Sequence, residues 1–387
     1  MRKLALMVIL LVLSGSALAE RAVEDGADRA AVQDDGASSL DALEAALDEA
    51  GFDAFAEASK AAGGDDARGI LRSILSGKSI WDEAQLDALL KDLVASVRQA
   101  FLEVLAALAA PVLAGAILRA LLDGREGSGA AALLCRLSCA SLLTVRYVRW
   151  SGLASDLLSR TAGLTDAVMP VLAVAMSLTG SGLESMLTPI SAVLGKLTQN
   201  VLIGAAMPLC GIAAGVACAA NLSDRFQLNQ LFTLLKRMIA SGVRLLIAAF
   251  VGMLAMEGLL ASGQDAPLLR TMQRAVRGVM PIIGQQASDS LSMVSSSARA
   301  VVNAVGVTGM TVILSACAKP MLGLVVSSLS MQLAAAVLEP VADTGVVRII
   351  VHFSELSRML LAICIGCAIL SVLFIGACFS LAFTGTL

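Results

Sequence analysis

The sequence predicts an all-α protein: a polytopic helical membrane protein with about seven or eight spans, a cleaved signal peptide and a small helical ectodomain. Three observations carry this prediction. Hydrophobic residues make up 57% of the 387-residue chain and charged residues only 15%, and a mean hydropathy of +0.83 is far above what a water-soluble domain tolerates. Apolar stretches of membrane-spanning length recur from about residue 100 onward. Charge is divided unevenly, with 18 acidic and 8 basic residues between Glu20 and Arg98 but 13 acidic and 18 basic from Gln99 to the end.

Residues 1–19 read as a signal peptide. Arg2 and Lys3 precede the apolar run LALMVILLVL, and SGSALAE places small residues at Ala17 and Ala19 for cleavage after Ala19. An uncleaved anchor is the alternative, although ~10 apolar residues are short for a bilayer. On either reading residue 20 emerges outside the cytoplasm.

Residues 20–98 then form an acidic exported linker and helical ectodomain. The opening ERAVEDGADRAAVQDDGASS holds almost no large apolar side chain and reads as a linker. Leu40, Leu43 and Leu47 share a helical face behind the capping residue Ser38. A second helix follows Ser79, with Leu86, Leu90, Leu93, Val97, Phe101 and Val104 three or four apart, and it is expected to run into the first span.

The membrane domain, 99–387, carries candidate spans near 100–122, 131–147, 166–183, 199–220, 245–262, 300–318, 320–338 and 359–383. The second is the doubtful one because Arg136 interrupts AALLCRLSCASLLTV. An arginine at mid-bilayer costs about 2.5–3.5 kcal/mol on insertion scales unless it faces protein or water. Tyr147 and Trp150 at its end read as interfacial anchors. Basic residues divide almost evenly between the two sides with or without this span, so the side of the C-terminus stays open.

All eight cysteines lie in the membrane domain, which leaves the exported segment without a disulfide framework. Cys364 and Cys367 form a C-x-x-C, but inside LLAICIGCAILSVLF they read as buried packing thiols, not a metal or redox centre. The single histidine, His352, lacks nearby metal-ligand spacing, and no G-x-x-x-x-G-K-[ST] loop exists. The serines of 288–297 have no local base to activate them. The sequence therefore predicts no enzyme, cofactor or metal site. The acidic segment and the want of a basic, aromatic-bearing surface argue against nucleic-acid binding.

Two related halves, 165–262 and 276–380, are suggested by a weak repeat. DAVMPVLAV at 166–174 recurs as RGVMPIIGQ at 277–285, Pro208 matches Pro320, and VRLLIAAFVGML from 243 recurs as SRMLLAICIGCAI from 357, at offsets of 111, 112 and 114 residues. Each half holds an amphipathic connector, NLSDRFQLNQLFTLLKRMIASG and VADTGVVRIIVHFSELSR, expected at an interface.

Between apolar regions lies VMPIIGQQASDSLSMVSSSARAVVNAVGVTG, residues 279–309. Read as a helix, it aligns Gln285, Asp289, Ser292, Ser296, Arg299 and Asn303 in one polar stripe. Asp289 and Arg299 are about 15 Å apart along the axis, too far for a helical ion pair. The stripe lines an aqueous path or a subunit interface on one reading, and belongs to an exposed extramembrane helix on the other.

The ordered features, a signal, an acidic helical ectodomain, and a polytopic domain containing the 279–309 stretch followed by QLAAAVLEPVAD, resemble the stage III sporulation protein AE family. The resemblance covers roughly residues 85–387 and is strongest from 275 to 345. It implies a membrane component of the apparatus joining mother cell and forespore in endospore formers, in the mother-cell-derived membrane around the forespore. Implied partners are other proteins of the same operon, including a separate ATPase and ring-forming subunits, and stage II sporulation protein Q across the intermembrane space. Pro281, Gly284, Asp289, Ser296, Pro340 and Asp343 match its motifs as structural or pathway residues; no catalytic residue carries over. The residues alone also admit a secondary transporter for a small solute, built from the two halves, or a structural scaffold with no pathway of its own.

Overall fold

The computed structural model describes residues 52–61, 66–75, 83–121, 128–177, 198–222, 228–264 and 283–384. These residues are helical throughout, apart from a few turn positions: α1 (Phe52–Ala61), α2 (Ala67–Leu75), α3 (Glu83–Leu121), α4 (Ser128–Ser177), a π-helical stretch Thr198–Ala206, α5 (Met207–Leu222), α6 (Asn229–Gln264), α7 (Ile283–Leu338) and α8 (Thr344–Thr384).

Five helices are long and apolar enough to cross a membrane: Val94–Leu118, Gly129–Val171, Val201–Asn221, Val305–Leu338 and Thr344–Gly376. Seven or eight separate spans thus reduce to five among the described residues. Segments 131–147 and 166–183 fall largely on α4, and 300–318 and 320–338 both fall on α7. The break expected at Pro320 does not occur. Cys317 and Met321 on either side of it are both buried, so packing against neighbours holds the helix through the missing backbone hydrogen bond. Pro208 acts differently. It offers no N–H to the carbonyl of Gly204 and its ring crowds that carbonyl, and the wider π turns before it relieve the clash. Segment 245–262 lies on α6, where side chains beyond residue 252 are outside the described residues.

The helix expected after Ser79 is α3, and it continues without interruption past residue 98 into the first candidate span. The Leu40–Leu47 helix lies outside the described residues. The sequence reading missed α1 and α2. Phe52, Phe55, Ile70 and Leu71 are buried there, and α1 rests chiefly on α4 and α2 on α7 as part of the common core.

At the centre stands α8. In the 18-residue apolar stretch of its span 72% of the residues are buried, against 22% in that of the α3 span, so one is enclosed by protein and the other forms the rim. Contacts fix the directions. Ser327 meets Ser357 and Gly309 meets Ile375, so α7 and α8 are antiparallel. Arg136 with Asp343, Tyr147 with Phe353 and Thr165 with Ser371 rise together, so α4 runs parallel to α8. On the rim, Leu113 and Ile117 of α3, Leu133 and Val145 of α4, and Leu234 and Leu245 of α6 are exposed. Such a surface suits lipid and not water.

Tyr147 departs from its expected role. Its ring packs edge-on against Phe353, with centroids 6.2 Å apart, and the residue is only 5% exposed, so it is a core residue and not an interfacial anchor. It sits on the face of α4 that meets α8, and the sequence alone does not say which face that is.

A Cβ on Gly115 would lie 2.7 Å from the Sγ and 2.8 Å from the Cβ of Cys135, so this glycine sets how closely α3 and α4 approach. Gly115→Val is expected to cost about 1–3 kcal/mol by overpacking. Thermal unfolding in detergent checks this, with Gly152→Ala, where nothing lies within 4 Å, as the control that loses no stability.

Candidate functional site

The α7–α8 hairpin gathers the polar residues. Pro340 has no N–H for the carbonyl of Ala336, so α7 stops, and the chain reverses through Glu339–Asp343 with the Ala342 amide donating to the Leu338 carbonyl at 2.7 Å. Asp343 caps α8. Its carbonyl accepts the Val347 amide at 3.1 Å, the first bond of the new helix.

The carboxylate of Asp343 receives Arg136 Nε at 2.6 Å, and the two side chains are only 12% and 16% exposed. The arginine that made the second span doubtful therefore faces protein. Gly345 makes room for it, since a Cβ there would lie 2.7 Å from the guanidinium carbon. Charge is met by charge where hydrocarbon offers nothing.

Farther along the hairpin the two helices are joined by hydroxyls. Ser327 and Ser357 are 2.7 Å apart, and the Ser354 hydroxyl donates to the Ser328 carbonyl at 3.0 Å. With its amide oxygen turned toward them, Gln332 accepts from Arg358 Nε at 3.3 Å and lies 3.1 Å from the Ser354 hydroxyl oxygen. Ser330 donates to the Val326 carbonyl of its own helix at 2.7 Å. These serines are buried and each is engaged with protein, so this seam fastens the two helices.

The two amphipathic connectors meet each other. His352 Nδ1 is 2.9 Å from the Asn221 amide nitrogen, its ring lies 4.5 Å from that of Phe232, and Lys236 Nζ is 3.0 Å from Glu355. His352 is thus an interface residue between α5, α6 and α8. Cys364 and Cys367 are buried free thiols in α8, as expected of packing residues. Among the described residues no three His, Cys, Asp or Glu gather to hold a metal.

Of the motif residues, Pro340 and Asp343 are placed as above. Gly284 lies in the first turn of α7, and Pro281 falls outside the described residues. Gln285, Asp289, Ser292, Ser296, Arg299 and Asn303 all lie on the backbone of α7, continuous with the Val305–Leu338 span, while their side chains are outside the described residues. The residues that sequence reasoning missed are the partners: nothing local joins Arg136 to a carboxylate 207 positions away.

The family described as stage III sporulation protein AE matches residues 66–382. A curated relative, the stage III sporulation protein AE of Bacillus subtilis (strain 168), is 24% identical over 180 residues, which are 46% of this chain and 43% of the relative. The match spans less than half of that relative's length. No solved structure matches the chain.

Replacing Arg136 or Asp343 by alanine removes a mostly buried charge partner. Each single variant is expected to unfold at lower temperature in detergent, and the double variant to lose less than the sum, with a coupling of about 0.5–3 kcal/mol. Additive losses would show that the pair is not coupled.

Proposed function

Because the chain belongs to the stage III sporulation protein AE family, we propose that it is a non-enzymatic multi-pass subunit of a channel or secretion-like complex linking mother cell and forespore. The observation that supports this is the family match from residue 66 to 382, which takes in all five candidate spans and the α7–α8 hairpin. On this reading residues 1–19 direct export and are removed, and the segment to residue 98 lies outside the cytoplasm.

The protein resides in the mother-cell-derived membrane around the forespore. Its partners are membrane proteins of the same operon, including ring-forming subunits, with stage II sporulation protein Q across the intermembrane space. Energy comes from a separate ATPase, since the chain has no phosphate loop of its own. The stripe from Gln285 to Asn303 faces either the conduit or a neighbouring subunit, because the polarity of a helix continuous with a span has to be met by protein or water.

Imaging a functional tagged copy through sporulation tests the assignment. Signal confined to the mother cell and encircling the forespore is expected. Uniform signal in the membrane of growing cells would overturn it, and uptake by purified protein in liposomes would then establish the solute-transporter reading. For the stripe, Asp289→Ala with Arg299→Ala is expected to abolish spore formation while membrane insertion is unchanged. Normal sporulation in that double variant would remove the stripe from the mechanism.

A further inference from the structure

Where the two connectors meet, α6 and α8 do not close completely. A cleft of about 690 Å³ remains between them, lined on α6 by Asn229, Lys236, Arg237 and Arg244 and on α8 by His352 and Glu355. Asn229, Lys236, Arg237 and Arg244 recur at helical spacing on one face, so their side chains serve the same opening. The charge is unbalanced. Glu355 is paired with Lys236 at 3.0 Å, whereas Arg237 and Arg244 make no ion pair among the described residues. Both arginines are exposed. Two guanidinium groups beside one cleft are suited to phosphate oxygens, which they bind through paired N–H donors.

The position along the helices selects the source of the phosphate. Phe232 opposite His352, Lys236 opposite Glu355 and Val243 against Gly366 rise together, so α6 and α8 run parallel. Both then enter charge-free stretches, 245–256 in α6 and 359–384 in α8. The cleft therefore sits where charged helix gives way to apolar helix on the same side of both. Val351 on its rim is apolar and exposed, and Leu234, Met238 and Leu245 are exposed on the adjoining face of α6. Free phosphate has no use for such a rim, and an acyl chain has.

We propose that the α6–α8 cleft binds the phosphate-bearing headgroup of an anionic phospholipid, with Arg237 and Arg244 holding the phosphate and the exposed leucines and Met238 receiving the chains. Bound there, the lipid bridges the connectors of the two halves.

Native mass spectrometry of the full chain in non-ionic detergent tests this, using phosphatidylglycerol and phosphatidylcholine with the same acyl chains. Phosphatidylglycerol is expected to be retained in preference to phosphatidylcholine. Arg237→Gln with Arg244→Gln is expected to weaken its retention by about tenfold or more, with circular dichroism unchanged. The paired lysine substitutions at the same positions are expected to keep most of the binding, and Arg149→Gln, an exposed arginine on α4, to change nothing. Equal retention of phosphatidylglycerol by the native chain and the double glutamine variant would overturn the proposal. Saturation of the site by millimolar inorganic phosphate, with no further gain from phosphatidylglycerol, would assign the cleft to free phosphate and overturn the lipid reading.

Discussion

Hydrocarbon supplies no hydrogen bonds, and the arrangement of this protein follows from that constraint. Arg136 would be expensive in a lipid-facing position, and it is instead turned onto Asp343 at the cap of α8. Serines that would weaken a lone span are matched across the α7–α8 hairpin, Ser327 to Ser357 and Ser354 to Ser328. Thr165 does the same between α4 and α8, donating to Ser371 at 3.1 Å. Polar groups in the interior thus double as helix-to-helix fastenings.

This arrangement explains why α8 beyond residue 358 can be apolar on every face and still be the centre of the bundle. A helix surrounded by protein needs no polar side toward water, and α8 gains its specificity from a few hydroxyls and glycines instead. Gly366 lets Val243 of α6 approach closely, and Gly345 admits the guanidinium of Arg136. Among the described residues, committed polarity in the core leaves the open cleft between α6 and α8 as a place where polar groups remain available to something else.

Much of this was legible from periodicity and composition. The spacing from Leu86 to Val104 describes α3, and the connectors were recognisable as amphipathic segments destined for an interface. Arg136 stood out as a cost requiring a partner, and Asp343 stood out in the family motif, but their connection was invisible because the two are 207 residues apart. Tyr147 was misread because aromatic residues near a span end serve equally as lipid anchors or as core. Among the described residues, four of the seven or eight expected spans fall in pairs on α4 and α7, because hydropathy marks apolar length and says nothing about whether the chain turns between two stretches. Pro340 ends its helix and Pro320 does not, and the difference is the packing on either side.

By itself, the sequence determined that the chain is helical and membrane-embedded, that it carries no phosphate loop, and which family it resembles. Those properties depend on summed hydropathy, local spacing and short motifs, each read within a few turns. Only the tertiary structure decided that α8 is the core, that α1 and α2 rest on α4 and α7, that Arg136 is matched by Asp343, and that the two connectors meet around His352. These are choices among faces of similar apolar helices, and hydropathy ranks such faces almost equally. The few polar atoms that must find one another break the tie, and their partners lie on other helices.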